Sequence, residues 1–152
     1  MNMLVIYYSQ TGTTKAVAEK IATIKNAELI ELKPQKPYNM SYWKTIAVSL
    51  KEKFTKARPP LALEIPDIQK YSQILIGCPI WCGFVPNVIL TLLDAADLNE
   101  KHMALFTTSG ATKPDKTAAE LKKMYPEAKW HQPLHANGAT EETIRNWMQQ
   151  KP

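Results

Sequence analysis

Six consecutive uncharged residues, Ser9, Gln10, Thr11, Gly12, Thr13 and Thr14, carry four hydroxyls and a glycine between an apolar run and the first helical pattern. That mixture suits an anion with several oxygens. A helix N-terminus offers orphan N–H groups and the positive end of a dipole. Gly12 lets the backbone close around a group, and each hydroxyl bonded to a charged acceptor adds roughly 1.5–3 kcal/mol. A phosphate ester meets this description. The stretch contains neither G-x-x-x-x-G-K-[ST] nor G-x-G-x-x-G, so it is neither a Walker loop nor a dinucleotide fingerprint. Taken by itself it also reads as an ordinary Ser/Thr helix cap.

Two further stretches hold residues of use to a ligand. "GCPIWCGFVPN", from Gly77 to Asn87, sets Trp81 between Pro79 and Gly83 just past an apolar run. An indole there either covers the core or stacks on a flat heteroaromatic ring. "TTSGATKPD", from Thr107 to Asp115, surrounds Gly110 with small residues, so a ring can approach backbone N–H and C=O groups. Cys82 reads either as a thiol near such a ring or as a small half-buried residue, and the second reading is preferred. The histidines, His102, His131 and His135, form no carboxylate–His–nucleophile pattern and are read as structural.

These stretches do chemistry only if one end of a sheet gathers them. Met3 to Tyr8 is a continuous apolar run, the mark of a strand buried on both faces. Val17, Ile21 and Ile24 predict a helix over about 13–24, and 27–32 reads as a second strand. Trp43, Ala47, Leu50 and Phe54 predict a helix over about 41–56, ended by Arg58-Pro59-Pro60. Strands follow at 72–80 and 102–108, with a helix from Pro86 between them and another from Pro114 to about Met124. A weaker fifth strand spans 128–135. Thr140 caps a last helix whose Glu141 and Glu142 suit its positive end, with Ile144, Trp147 and Met148 on its buried side. Strand and helix alternate five times, which argues for a parallel sheet with helices on both faces. Ligands of such sheets bind beyond the carboxyl ends of the strands, where strand order reverses.

Length and composition bound the reading. The 152 residues suggest a single domain, 45% hydrophobic and 22% charged, which is ordinary for a soluble globular chain. No apolar run reaches the roughly 18–20 residues of a membrane span, and "MNMLVIYYSQ" has neither a basic leader nor a small-residue cleavage site. Two cysteines four apart, Cys78 and Cys82, form no disulfide framework or zinc pattern, so the expected compartment is the reducing cytoplasm. The net charge is +5, yet Lys33 to Arg58 alone carries +6, from seven basic residues and Glu52, and the remainder carries −1. No nucleic-acid-binding pattern accompanies this segment, and no nucleic-acid partner is expected; it reads as a solvated lysine-rich helix face.

With these residues in view, the chain resembles the flavodoxin family. The resemblance rests on "SQTGTT" after strand one, "GCPIWCGFVP" after strand three, "TTSG" after strand four and the final "NGATEETIRNWM", together nearly the whole chain. It implies a flavodoxin-like three-layer sandwich: a five-stranded parallel sheet of order 2-1-3-4-5, with FMN at the switch point. It further implies a phosphate site at Ser9, Gln10, Thr11, Gly12, Thr13 and Thr14. Ring contacts would come from Pro79, Ile80, Trp81, Cys82 and Gly83, and from Thr108, Ser109, Gly110 and Ala111.

The chain departs from the family pattern in two ways. Carrier flavodoxins are usually acidic, whereas this chain is basic. Many sandwich the ring between two aromatics, whereas Ser109 to Asp115 contains none, so Trp81 is the clear stacking residue. The favoured function is low-potential electron transfer between redox partner proteins. The alternative is an NAD(P)H-dependent FMN reductase acting on quinones or similar acceptors, which an open ring face and a basic surface would suit. A non-redox phosphate-binding module is the third reading, and Trp81 argues against it.

Overall fold

A computed structural model of the chain describes residues 2–36, 42–62, 64, 67–81, 83–110 and 112–149. Strands β1 (Met3–Tyr7), β2 (Glu28–Glu31), β3 (Gln73–Cys78) and β4 (His102–Thr107) alternate with helices α1 (Thr13–Lys25), α2 (Tyr42–Thr55), α3 (Asn87–Ala95) and α4 (Asp115–Met124). Two short strands, β5 (Lys129–Trp130) and β6 (Leu134–His135), and helix α5 (Glu141–Asn146) complete the chain. The sheet is parallel with order β2-β1-β3-β4-β5, and β6 also pairs with β4. This is the three-layer sandwich and strand order expected from the sequence.

Side-chain alternation along the strands sorts the core into two layers. Leu4, Ile6 and Tyr8 lie with Ile74 and Ile76 against Val88, Ile89 and Leu92 of α3 and Leu121 of α4. Val5, Tyr7, Leu75 and Phe106 lie against Ala18 and Ile21 of α1 and Ile144 of α5. Two-sided burial explains the unbroken apolar run of β1. Gly77 is required by close approach: a Cβ there would stand 2.1 Å from the Phe106 ring. That ring in turn meets Trp147 edge-on, with centroids 5.9 Å apart. Truncating a buried leucine or isoleucine of either layer to alanine would cost about 2–5 kcal/mol.

Three expectations change in detail. The fifth strand is split. Residues 131–133 lie opposite only Ala104 and Leu105, since Met103 pairs with Trp130 and Phe106 with Leu134. One extra residue and the missing N–H of Pro133 interrupt the ladder as a bulge does. On α2, Ala47 is exposed, while Thr45 is buried and Val48 packs on the core, so the inward face is turned by about one residue. The side chains of Trp43 and Phe54, expected on that face, fall outside the described residues. Helix α5 stops at Asn146, so buried Trp147 and half-buried Met148, the latter at φ 72°, lie past its end. Thr140 caps it as expected, accepting the Thr143 N–H at 3.1 Å.

No helix among the described residues is long and apolar enough to cross a membrane. Among the same residues, no three His, Cys, Asp or Glu side chains group so as to hold a metal ion.

Candidate functional site

The loops after β1, β3 and β4 meet at the carboxyl end of the sheet. The first begins where the Tyr8 N–H still bonds to the Gly77 carbonyl at 2.9 Å. Gly12 closes it with φ 94°, a left-handed conformation that favours glycine. Ser9 Oγ accepts the Gly12 N–H at 3.1 Å, and the exposed Thr11 and Thr13 hydroxyls stand 3.4 Å apart. The N-cap residue Gly12 makes no side-chain cap bond, and the first turn of α1 holds no acidic residue. The contrast with α5, capped by Thr140 and led by Glu141 and Glu142, is internal to the chain. Ser9 takes the Gly12 N–H, and the N-cap residue, a glycine, offers the N–H groups of the first turn no side-chain acceptor.

Thr14 stands apart from the other hydroxyl residues. It is 2% exposed, and its Oγ1 lies 2.6 Å from Thr108 Oγ1, also buried. The pair joins the first loop to the third. Gln10 faces the other way, donating from Nε2 to Thr45 Oγ1 of α2 at 3.1 Å.

The second loop is a tight turn. Trp81 and Phe84 exchange backbone hydrogen bonds of 2.9 Å each, and Gly83 at φ 83° makes the reversal possible. Thr117 of α4 donates from Oγ1 to the Gly83 carbonyl at 2.9 Å and fixes the turn from below. Pro79, Ile80 and Trp81 are half-buried. The indole packs on the core and meets Tyr8 at a centroid distance of 5.7 Å and 85° between planes. Trp81 thus does cover the core. Tyr8, 4% exposed beneath it, is part of that core. Burial, with the Glu52 charge added, pushes the Tyr8 phenol above its ordinary range. Burial also raises the thiol of Cys78, a group without access to solvent. Lys53 of α2 stands 4.4 Å from the centre of the Phe84 ring, so the basic segment flanks this loop.

The third loop leaves the sheet at Thr108, whose N–H bonds to the Cys78 carbonyl at 3.2 Å. Ser109 Oγ donates to the Thr112 carbonyl at 2.6 Å. His135 Nε2 lies 2.9 Å from the Ser109 carbonyl. Gly110 is exposed, with open space where a Cβ would stand. Thr107 Oγ1, at the end of β4, is buried and has no hydrogen-bond partner among the described residues. Cys82 and Ala111, both expected at the ring, lie outside the described residues.

The structure therefore brings Thr14 to Thr108, Tyr8 to Trp81 and Thr108 to Cys78, and it presents Ser9, Thr11 and Thr13 at the helix start. Sequence reasoning missed three residues that hold these loops: Thr45, Thr117 and His135. Each reaches a loop from an element distant in sequence, so no local spacing could have shown it. His102 and His131 fit their structural reading, with ring nitrogens 2.8 Å apart. Two clefts, of about 350 and 570 Å³, lie around Trp147 and Met148, and their linings include no residue of the three loops. The candidate site is the rim that the three loops form at the carboxyl end of the sheet.

Comparisons agree with this geometry. A family profile described as flavodoxin matches residues 2–151. A sequence comparison with curated proteins gives no match. Among solved structures, a candidate flavoprotein from Bacteroides uniformis is 30% identical, with a TM-score of 0.88 over 98% of each chain. A flavoprotein from Lactobacillus acidophilus, solved in complex with FMN, is 29% identical, with a TM-score of 0.78 over 90% of this chain and 94% of its own. Oxidised flavodoxin 2 from Bacillus cereus, 16% identical with a TM-score of 0.55 over 96% of this chain and 94% of its own, shares the fold. A match over nearly the whole length, on a sheet of this order with these three loops at its carboxyl end, shows that the chain belongs to the flavodoxin family.

Proposed function

We propose that the chain binds FMN across the three loops and carries electrons between redox proteins. The observation that carries this reading is the start of α1, uncapped and free of acid, beside the Trp81 turn and the Gly110 loop. Ser9, Thr11 and Thr13 would hold the phosphate with the first-turn N–H groups, and the buried Thr14–Thr108 pair would fix those groups against the third loop. Trp81 would offer its indole to one face of the ring, with Pro79, Ile80 and Gly83 beside it. Thr108, Ser109 and Gly110 would offer backbone groups to its edge. Bound FMN supplies a ring that takes up and releases one or two electrons, while the protein sets its orientation, solvation and potential.

An NAD(P)H-dependent reductase is the second reading, and one observation favours it. Lys53 sits on the Phe84 ring, and Lys51 and Lys56 are exposed nearby in sequence, which suits an anionic nucleotide next to an open ring face. Titration of purified apoprotein with FMN, followed by flavin fluorescence, tests the binding. Addition of NADPH to the loaded protein separates the two functions. A carrier stays yellow and passes electrons only to and from proteins. Rapid bleaching with steady turnover on a quinone selects the reductase. An apoprotein that leaves FMN fluorescence unchanged at micromolar concentration would refute both.

A further inference from the structure

We propose that His135 is a positioning residue of the flavin site: its Nε2–H holds the Ser109–Gly110 peptide so that the Gly110 N–H is presented to the edge of the ring. This inference rests on the FMN reading of the three loops.

The direction of the bond follows from the groups. A carbonyl oxygen only accepts, so the ring nitrogen 2.9 Å from the Ser109 oxygen must carry the proton. Nε2 is therefore the donor of this contact and Nδ1 faces away from it. In a planar trans peptide, the C=O of one residue and the N–H of the next point in opposite directions. Fixing the Ser109 carbonyl toward His135 consequently turns the Gly110 N–H away from β6. No hydrogen bond within the described structure uses that N–H, and Gly110 is exposed with open space around it. It is a backbone donor aimed and unspent. The pyrimidine edge of an isoalloxazine carries carbonyl oxygens and ring nitrogens that accept such a bond.

The rest of the loop explains why one histidine suffices. Residue 108 is already fixed by its N–H to Cys78 and its hydroxyl to Thr14. Ser109 Oγ ties forward to Thr112. His135 fixes the 109–110 peptide plane from the side of β6. β6 is placed to do this: it pairs with the end of β4, with His135 beside Thr107, two residues before Ser109. Splitting the fifth strand sets that register, because the extra residue before Leu134 decides which side chain reaches the loop.

The test compares His135→Leu, which removes the donor, with His135→Gln, whose amide nitrogen can replace Nε2. In the apoprotein, 15N relaxation at the Gly110 amide should show greater mobility in the leucine variant and near wild-type behaviour in the glutamine variant. Affinity should fall about tenfold in the leucine variant for both FMN and riboflavin, which shares the ring and lacks the phosphate, and glutamine should restore it. An unchanged Gly110 amide in His135→Leu, or a loss confined to FMN, would overturn the proposal. If wild-type protein binds no flavin, the functional reading fails, and the relaxation measurement still decides whether His135 holds the peptide.

Discussion

Replacing Trp81 with alanine separates two roles that the structure gives the same indole. The ring leans on Tyr8 at 85° and covers part of the core. Losing an aromatic edge contact costs about 0.5–1.5 kcal/mol. Because Trp81 is only half-buried, the total loss of apoprotein stability should fall below the roughly 3–5 kcal/mol of a fully buried tryptophan. An edge-to-face pair meets at most one face of the indole. A base-like ring stacked on the indole is worth about 1–3 kcal/mol, or roughly five- to 150-fold in Kd. The indole should also disfavour the electron-rich reduced ring, both by repulsion and by excluding water that would solvate its charge. Trp81→Ala is therefore expected to lower apo stability modestly, weaken FMN binding within that range and raise the potential of the second electron. Urea unfolding, fluorescence titration and potentiometry on one preparation give all three quantities. A fall in stability with unchanged affinity and potential would refute stacking and leave Trp81 as a lid on Tyr8.

Thr11→Val with Thr13→Val should reduce FMN affinity by about a hundredfold and leave riboflavin binding intact, since the hydroxyls removed would serve the phosphate; equal losses for both ligands would contradict this. Thr14→Val should instead destabilise the apoprotein by about 1–3 kcal/mol, because it leaves the buried Thr108 hydroxyl without its partner, and an unfolding midpoint equal to wild type would count against the strut. The fold should weaken in alkali. Burial first, then Glu31 by charge and hydrogen bond and the Glu19 charge, pushes the Tyr7 phenol up to about 12, and burial likewise raises Tyr8 and Tyr125. A raised phenol binds its proton more tightly in the folded state, so stability is full below about pH 10 and declines toward pH 12. A urea midpoint flat across that window would be inconsistent with it. Electron transfer to an acidic partner should slow as salt rises, since the field of the Lys33–Arg58 segment is screened over about 8 Å at physiological ionic strength; acceleration would place docking on another face.

The sheet was legible because its strands are buried on both faces and read as apolar runs, and because strand and helix alternate. The three loops were legible because hydroxyls, glycine and tryptophan follow those runs directly. What escaped was whatever depends on contacts between distant segments. The break between β5 and β6 arises from a register against β4 that no local pattern encodes. The buried Thr14–Thr108 bond spans 94 residues, so Thr14 read as one more phosphate-site hydroxyl of its loop. His135 carries no motif, and its link to the loop exists only through β6 pairing. The basic segment was visible as charge, but not its partial neutralisation: Arg58 pairs with Asp94 at 2.6 Å, and Lys33 with Glu31 at 3.4 Å.

The open start of α1 also bears on how this protein must be handled. A helix whose first turn lacks a cap of its own borrows one from the medium. Any phosphate or sulfate in a buffer competes for the same N–H groups, and a bound anion stabilises the folded chain by RT ln(1 + [L]/Kd). Even a weak anion with a Kd near 1 mM would add about 2.7 kcal/mol at roughly 100 mM. A melting temperature recorded in phosphate buffer would then overstate the apoprotein and understate the shift produced by FMN. Ligand screens by thermal shift should accordingly be run in amine buffers with chloride as the counterion, so that no multi-oxygen anion competes with the compound under test.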